Sequence, residues 1–178
     1  GIEGFEDFVF SVWAKFYTMG KHTAVFITLM RNPWKFRFYL FWKLPMAFLS
    51  GLQIHSIDEE QAAVSVPYRW LTQNPFRSTY FACLAMAAEM STGLLALAQV
   101  YKSRPAVSML VVQMEARYLK KATGITTFSC TEGKKIQAAI EETLATGQSA
   151  TVLATSRGHN TAGDTIAEFS FTWSFKRK

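Results

Sequence analysis

The chain is poor in charge, cysteine and histidine. Only 18% of its 178 residues are charged, against about a quarter in an ordinary globular domain. It has two cysteines, Cys83 and Cys130, far apart, and three scattered histidines, His22, His55 and His159. That inventory has no metal-ligand spacing and cannot build a disulfide scaffold, so no metal site is expected. Both cysteines are expected as buried free thiols, and a reducing cytoplasm is the expected setting. Gly1–Asp7 is acidic rather than basic, so no secretory leader is expected there. The Gly-x-Ser-x-Gly turn of serine hydrolases is missing, as is any glycine-rich phosphate loop. The most local absence is of acid: no Asp or Glu occurs between Phe8 and Ile57.

Apolar residues make up 49% of the chain and aromatics 15%. That excludes disorder and collagen-like structure, and a chain of this size holds a core without staples. The net charge of +6 suits an anionic partner: nucleic acid, a membrane surface, or a phosphorylated small molecule such as coenzyme A.

Residues 1–49 hold 14 of the 26 aromatic residues, and with them Lys15, Lys21, Arg31, Lys35, Arg37 and Lys43. Phe5, Phe8, Val9, Val12, Trp13 and Phe16 recur at helical spacing, and Gly20 can close that helix. A second helix is expected over His22–Arg31. A third begins at Asn32-Pro33, a cap followed by proline at the first helical position, and Pro45 interrupts it. This region reads as a helical cap packed on the domain or on a dimer partner. The alternative is an interfacial helix in peripheral contact with a membrane.

From Leu52 the pattern turns to strands. Leu52–Ile57 and Ala62–Trp70 flank the turn Asp58–Gln61, and Pro67 marks the second as an edge strand or a bulge. Between Arg77 and Lys102 lies a nearly uncharged stretch that reads as a helix buried on all sides, with Ser78 or Thr79 as its cap. Strands are expected at Val107–Tyr118 and Thr123–Thr131. An amphipathic helix follows at Lys134–Thr146, with Ile136, Ile140 and Leu144 aligned. A hairpin, Ala150–Thr155 with Thr165–Phe175, turns around Gly158–Gly163. In its last strand Phe169, Phe171, Trp173 and Phe175 share one face. The class is α+β, an antiparallel sheet covering a long helix.

Glu89 is the lone charge inside that helix. A carboxylate in an apolar site costs several kcal/mol unless it has a partner or a task, so Glu89 is a paired core residue, a residue on an exposed stripe of the helix, or a functional acid whose burial suits a base or nucleophile. Asn74, in the loop before the helix, is a turn residue unless Glu89 lies nearby, when it could position a carbonyl or a water. The helix start at Tyr80-Phe81-Ala82 offers unpaired N–H groups at a positive dipole end, and Ser91 and Thr92 follow Glu89 directly. The histidines, Arg157 and the Lys176–Lys178 tail read as surface or structural. Nucleic acid binding is not expected, because the aromatic stripe of the last strand reads as core.

The order strand, strand, amide-bearing loop, long apolar helix, antiparallel strands resembles the hotdog superfamily, in which a sheet wraps a central helix. Val66–Gly93, VPYRWLTQNPFRSTYFACLAMAAEMSTG, is similar to the matching segment of the phenylacetate-degradation type of acyl-CoA thioesterase. It is closer still to a hotdog family known only as a domain of unknown function. The architecture covers Leu49–Phe175, so the resemblance divides the chain into a helical extension, 1–49, and a hotdog domain, 50–178. It implies a homodimer or dimer of dimers with sites at the subunit interface, acting on an acyl thioester or holding a fatty-acyl ligand. Coenzyme A enters as part of the substrate, and no separate cofactor is implied. The family's loop amide falls on Asn74 and its helix acid on Glu89. Tyr80-Phe81-Ala82 stands where the family has His-Gly-Gly. The resemblance therefore implies Glu89, Asn74 and Tyr80 as catalytic positions and Phe81, Ala82, Ser91 and Thr92 as substrate-binding ones. A phenol can donate a hydrogen bond but is no base near neutral pH, so a non-catalytic acyl or lipid binder is the alternative reading.

Overall fold

The computed structural model describes residues 22–178. The helix expected over Phe5–Phe16 lies outside them. Helix α1 covers 22–31 and α2 runs Pro33–Lys43, opened by Asn32, whose Oδ1 accepts from the amides of Trp34 and Lys35, both at 3.1 Å. Pro45 does more than interrupt α2. It opens a further short helix, α3, Pro45–Ser50, which ends on Gly51 at φ 74°, a conformation glycine adopts freely.

The rest is a six-stranded antiparallel sheet and two helices. The strands are β1 (Gln53–Ile57), β2 (Ala62–Val66), β3 (Val107–Tyr118), β4 (Thr126–Cys130), β5 (Ala150–Asn160) and β6 (Thr165–Arg177), in spatial order β1-β2-β4-β5-β6-β3. Helix α4, Phe81–Val100, packs against β2, β4, β5, β6 and β3, and α5, Gly133–Thr146, packs on α4, β5 and β6. The four aromatics of β6 are all buried in this core. Each such side chain taken out of water contributes about 1.5–3 kcal/mol. Alternation in β6 thus decides which face of the sheet receives α4.

Three boundaries differ from the sequence reading, each for a local reason. β2 stops at Val66, before Pro67, and is an interior strand between β1 and β4, so Pro67 ends a strand instead of marking an edge or bulge. A short 3-10 turn, Trp70–Thr72, follows it. The cap of α4 is Tyr80 rather than Ser78 or Thr79. The Thr79 hydroxyl donates to Ala122 O, and that of Ser78 to Asn74 Oδ1. β5 runs through Gly158 to Asn160, beyond the expected turn. A Cβ on Gly158 would lie 2.4 Å from the Phe128 ring, so this glycine lets an aromatic ring lie flat on the strand and is not a turn residue.

Candidate functional site

Helix α4 is apolar almost throughout, and 13 of its 20 residues are buried. By length and composition it could cross a membrane, but here it is the helix the sheet wraps. Its least covered stripe runs through Ala82, Ala85, Met86 and Glu89. Glu89 is thus half-buried rather than sunk in filled core. Burial alone pushes its carboxyl above the ordinary carboxylate range. Among the described residues its carboxylate accepts no hydrogen bond and forms no salt bridge. It is therefore not a paired core acid, and it lies on the least covered stripe of the helix.

Room for this carboxylate comes from Gly93, one helical turn on. A Cβ there would lie 2.9 Å from Glu89 Oε1 and 3.4 Å from the Trp173 ring. Trp173 is held in turn by a bond from its Nε1 to Thr92 Oγ1, at 3.0 Å. A third neighbour comes from α2: burial first, and then the Glu89 charge, raise the Tyr39 phenol above its usual value. Sequence alone marks neither Gly93, Tyr39 nor Trp173 as a site residue. Trp173 reads as core, Tyr39 is one aromatic among many, and no local pattern marks which side chains gather around this part of α4.

The start of α4 is the second half of the candidate site. The amides of Cys83 and Leu84 both donate to Tyr80 O, while those of Phe81 and Ala82 find no acceptor among the described residues. Among the described residues no side chain caps this end. Two free N–H groups at the positive end of a 20-residue helix can hold an oxyanion. Tyr80 and Phe81 are exposed there, their rings 4.7 Å apart and edge-on.

Asn74 has turn chemistry. Its Oδ1 accepts from Phe76 N at 3.0 Å and from Ser78 N and Oγ, both at 3.2 Å. These bonds fix the amide plane, and Nδ2 is left without an acceptor among the described residues. Ser91 and Thr92 are inaccessible. Ser91 Oγ donates to Ala88 O at 2.8 Å and meets Ser156 Oγ at 2.7 Å, while Thr92 Oγ1 donates to Glu89 O at 3.0 Å. Their hydroxyls, expected on a ligand, are engaged inside the core.

Thiol chemistry has no footing. Both cysteines are free and buried, and burial pushes the Cys130 thiol up to about 11 and raises that of Cys83 as well. A depression of about 460 Å³ lined by Asp58, Glu59, Glu60, Gln61 and Thr131 lies at the β1–β2 turn. Its acids have local duties: Asp58 Oδ1 accepts from the amides of Glu60 and Gln61, and Glu60 pairs with Lys134 at 2.8 Å.

A six-stranded antiparallel sheet wrapped on one long helix, with an acid midway along that helix and free amides at its start, defines a hotdog fold of the thioesterase-like kind. The model of the family described as domain of unknown function DUF4442 matches residues 34–175, and the chain belongs to that family. No curated protein matches. Among solved structures, a Pseudomonas aeruginosa protein of unknown function described as a probable thioesterase is 19% identical. The match covers 83% of this chain and 97% of that one, with a TM-score of 0.70. A Chlorobaculum tepidum protein of unknown function is 15% identical, with coverage of 83% and 98% and a TM-score of 0.69. A Haemophilus influenzae thioesterase is 10% identical, with coverage of 82% and 91% and a TM-score of 0.55. At these identities the likeness establishes the fold.

Proposed function

We propose that this protein hydrolyses an acyl thioester, with acyl-CoA as the substrate class and Glu89 as the general base. The observation that carries the reading is the half-buried Glu89 carboxylate, raised by burial and without a partner among the described residues, in the same apolar helix whose first amides find no acceptor among them. Acyl transfer needs a base, an oxyanion site and an orienting group. Glu89 takes a proton from water as the water oxygen attacks the thioester carbonyl. The oxyanion rests on the N–H groups of Phe81 and Ala82, with Asn74 Nδ2 as a further donor. The carbonyl re-forms, the C–S bond breaks, and the thiolate leaves with the proton Glu89 held. Coenzyme A takes part only as the leaving group.

One protomer does not supply both halves to one atom. Phe81 and Glu89 are separated by about 12 Å of helix rise, eight residues at about 1.5 Å each. The site therefore combines the helix start of one subunit with Glu89 of another. The outer edge of β3 supports this reading: among the described strands β3 pairs with β6 alone, and this twelve-residue strand exposes Leu110, Val112 and Met114. Two buried free thiols fit a reducing cytoplasm.

Purified protein is expected to release free thiol from at least one acyl-CoA in a panel of chain lengths and aromatic acyl groups, and Glu89→Gln is expected to abolish that release. No turnover across the panel, or full turnover by Glu89→Gln, would sink the proposal. Tyr80 at the helix start favours the second reading, a non-catalytic acyl binder. That reading requires fatty-acyl ligands in the mass spectrum of the purified protein together with no hydrolysis.

A further inference from the structure

Helix α2 is apolar on two opposite faces. Phe36 and Leu40 are buried in the core. On the other side Trp34, Phe38, Phe41 and Trp42 recur at three- and four-residue spacing and stand 83, 69, 57 and 71% exposed. The inward face anchors the helix, so the fold does not require the outer aromatics. The patch continues onto neighbouring elements. Met46 of α3 is exposed, the Phe41 ring meets that of Phe48 edge-on at 5.4 Å, and the 3-10 turn that holds Trp70, 79% exposed, is tied to α3 by a bond from Arg69 Nη2 to Leu49 O at 2.6 Å. A contiguous exposed apolar face of this kind marks an interaction surface.

Charge selects the occupant. Lys35, Arg37 and Lys43 are exposed around the aromatic stripe, and no acid occurs from Val9 to Ser56. In a two-fold contact between copies the same patch faces itself, which would set these cations against their own counterparts with no acid in α2 or α3 to neutralise them. An anionic bilayer meets both demands. Its headgroup zone takes Trp and Phe at shallow depth, and its surface potential attracts the flanking cations. We infer that α2, α3 and the turn at Trp70 form a docking face for an anionic lipid surface, with the α2 aromatics entering the interface and Lys35 and Lys43 meeting the headgroups. The inference does not depend on the chemistry at Glu89.

The full chain is mixed with vesicles of phosphatidylcholine containing about one-third phosphatidylserine, and with vesicles of phosphatidylcholine alone. Binding is followed by sedimentation and by tryptophan emission. The expected result is co-sedimentation with the anionic vesicles and a blue shift in emission. The triple variant Trp34→Ser, Phe38→Ser, Trp42→Ser should partition at least about tenfold more weakly, with an unchanged circular dichroism spectrum because all three side chains are exposed. Lys35→Glu with Lys43→Glu should remove the preference for anionic vesicles while leaving the aromatics in place. Failure of the native chain to bind anionic vesicles, or equal binding by the triple variant, overturns the inference. So does light scattering that shows the triple variant dissociating a native oligomer, which would make this face a contact between copies.

Discussion

Glu89 Oε1 lies in the space that a side chain on Gly93 would need, and among the described residues its carboxylate has no donor. Burial makes the folded chain hold the carboxyl proton more tightly than the unfolded chain does. Below the ordinary carboxylate range both states are protonated, and Glu89 carries no penalty. As pH rises the unfolded chain releases its proton first, so stability falls until the pH passes the raised folded value, and the penalty is then complete. Glu89→Gln is therefore expected to melt higher than the native chain at neutral pH, and thermal unfolding across pH should show this advantage vanish on acidification. If Glu89 is the base, hydrolysis by the native protein should increase with pH through the same raised value. An isolated acid in an apolar helix was legible in the sequence. Its lack of a partner was not, because partners of a buried group come from other elements. Gly93 illustrates the gap: in sequence it is one more small residue, and only the position of Trp173 gives its missing side chain a consequence.

At the scale of elements, α4 joins the core to the candidate site. Its apolar length was legible in the sequence, and its start was misplaced by one or two residues because the hydroxyls of Ser78 and Thr79 are committed to Asn74 and Ala122. That shift matters, since it leaves the amides of Phe81 and Ala82 without a side-chain cap. Phe81→Pro tests the oxyanion role with little structural cost. Proline is accommodated at the first helical position, and Tyr80, at φ −61° and ψ 136°, already has the extended backbone that a following proline requires. Loss of that single donor should lower kcat by about a hundredfold, with thermal stability close to native and Phe81→Leu retaining activity. By sequence alone Pro67 marks an edge strand or a bulge and Gly158 a turn. Each had two structural meanings, and the packing of β2 between β1 and β4 and of the Phe128 ring on β5 chose between them.

At the scale of the whole molecule, the proposed site joins the helix start of one copy to Glu89 of another. Mixed, unfolded and refolded together, Glu89→Gln and Phe81→Pro subunits are each inactive or nearly so alone. In the mixture half of the dimers are hybrids, and each hybrid holds one site with both parts intact. Activity should recover to about a quarter of native. No recovery would show that each site is built within one subunit.

The sequence by itself determined the class of fold, the wrapped helix and the isolated acid. Strand alternation and helical spacing are local periodicities, and a buried helix must be apolar all round wherever it lies. The tertiary structure alone decided that Glu89 has no hydrogen-bond or ion-pair partner among the described residues, that Tyr39 feels its charge, and that Ser91 and Thr92 are enclosed. It also decided which face of α2 stays in water, because both faces carry the same kinds of residue, and only the position of the core distinguishes inside from outside.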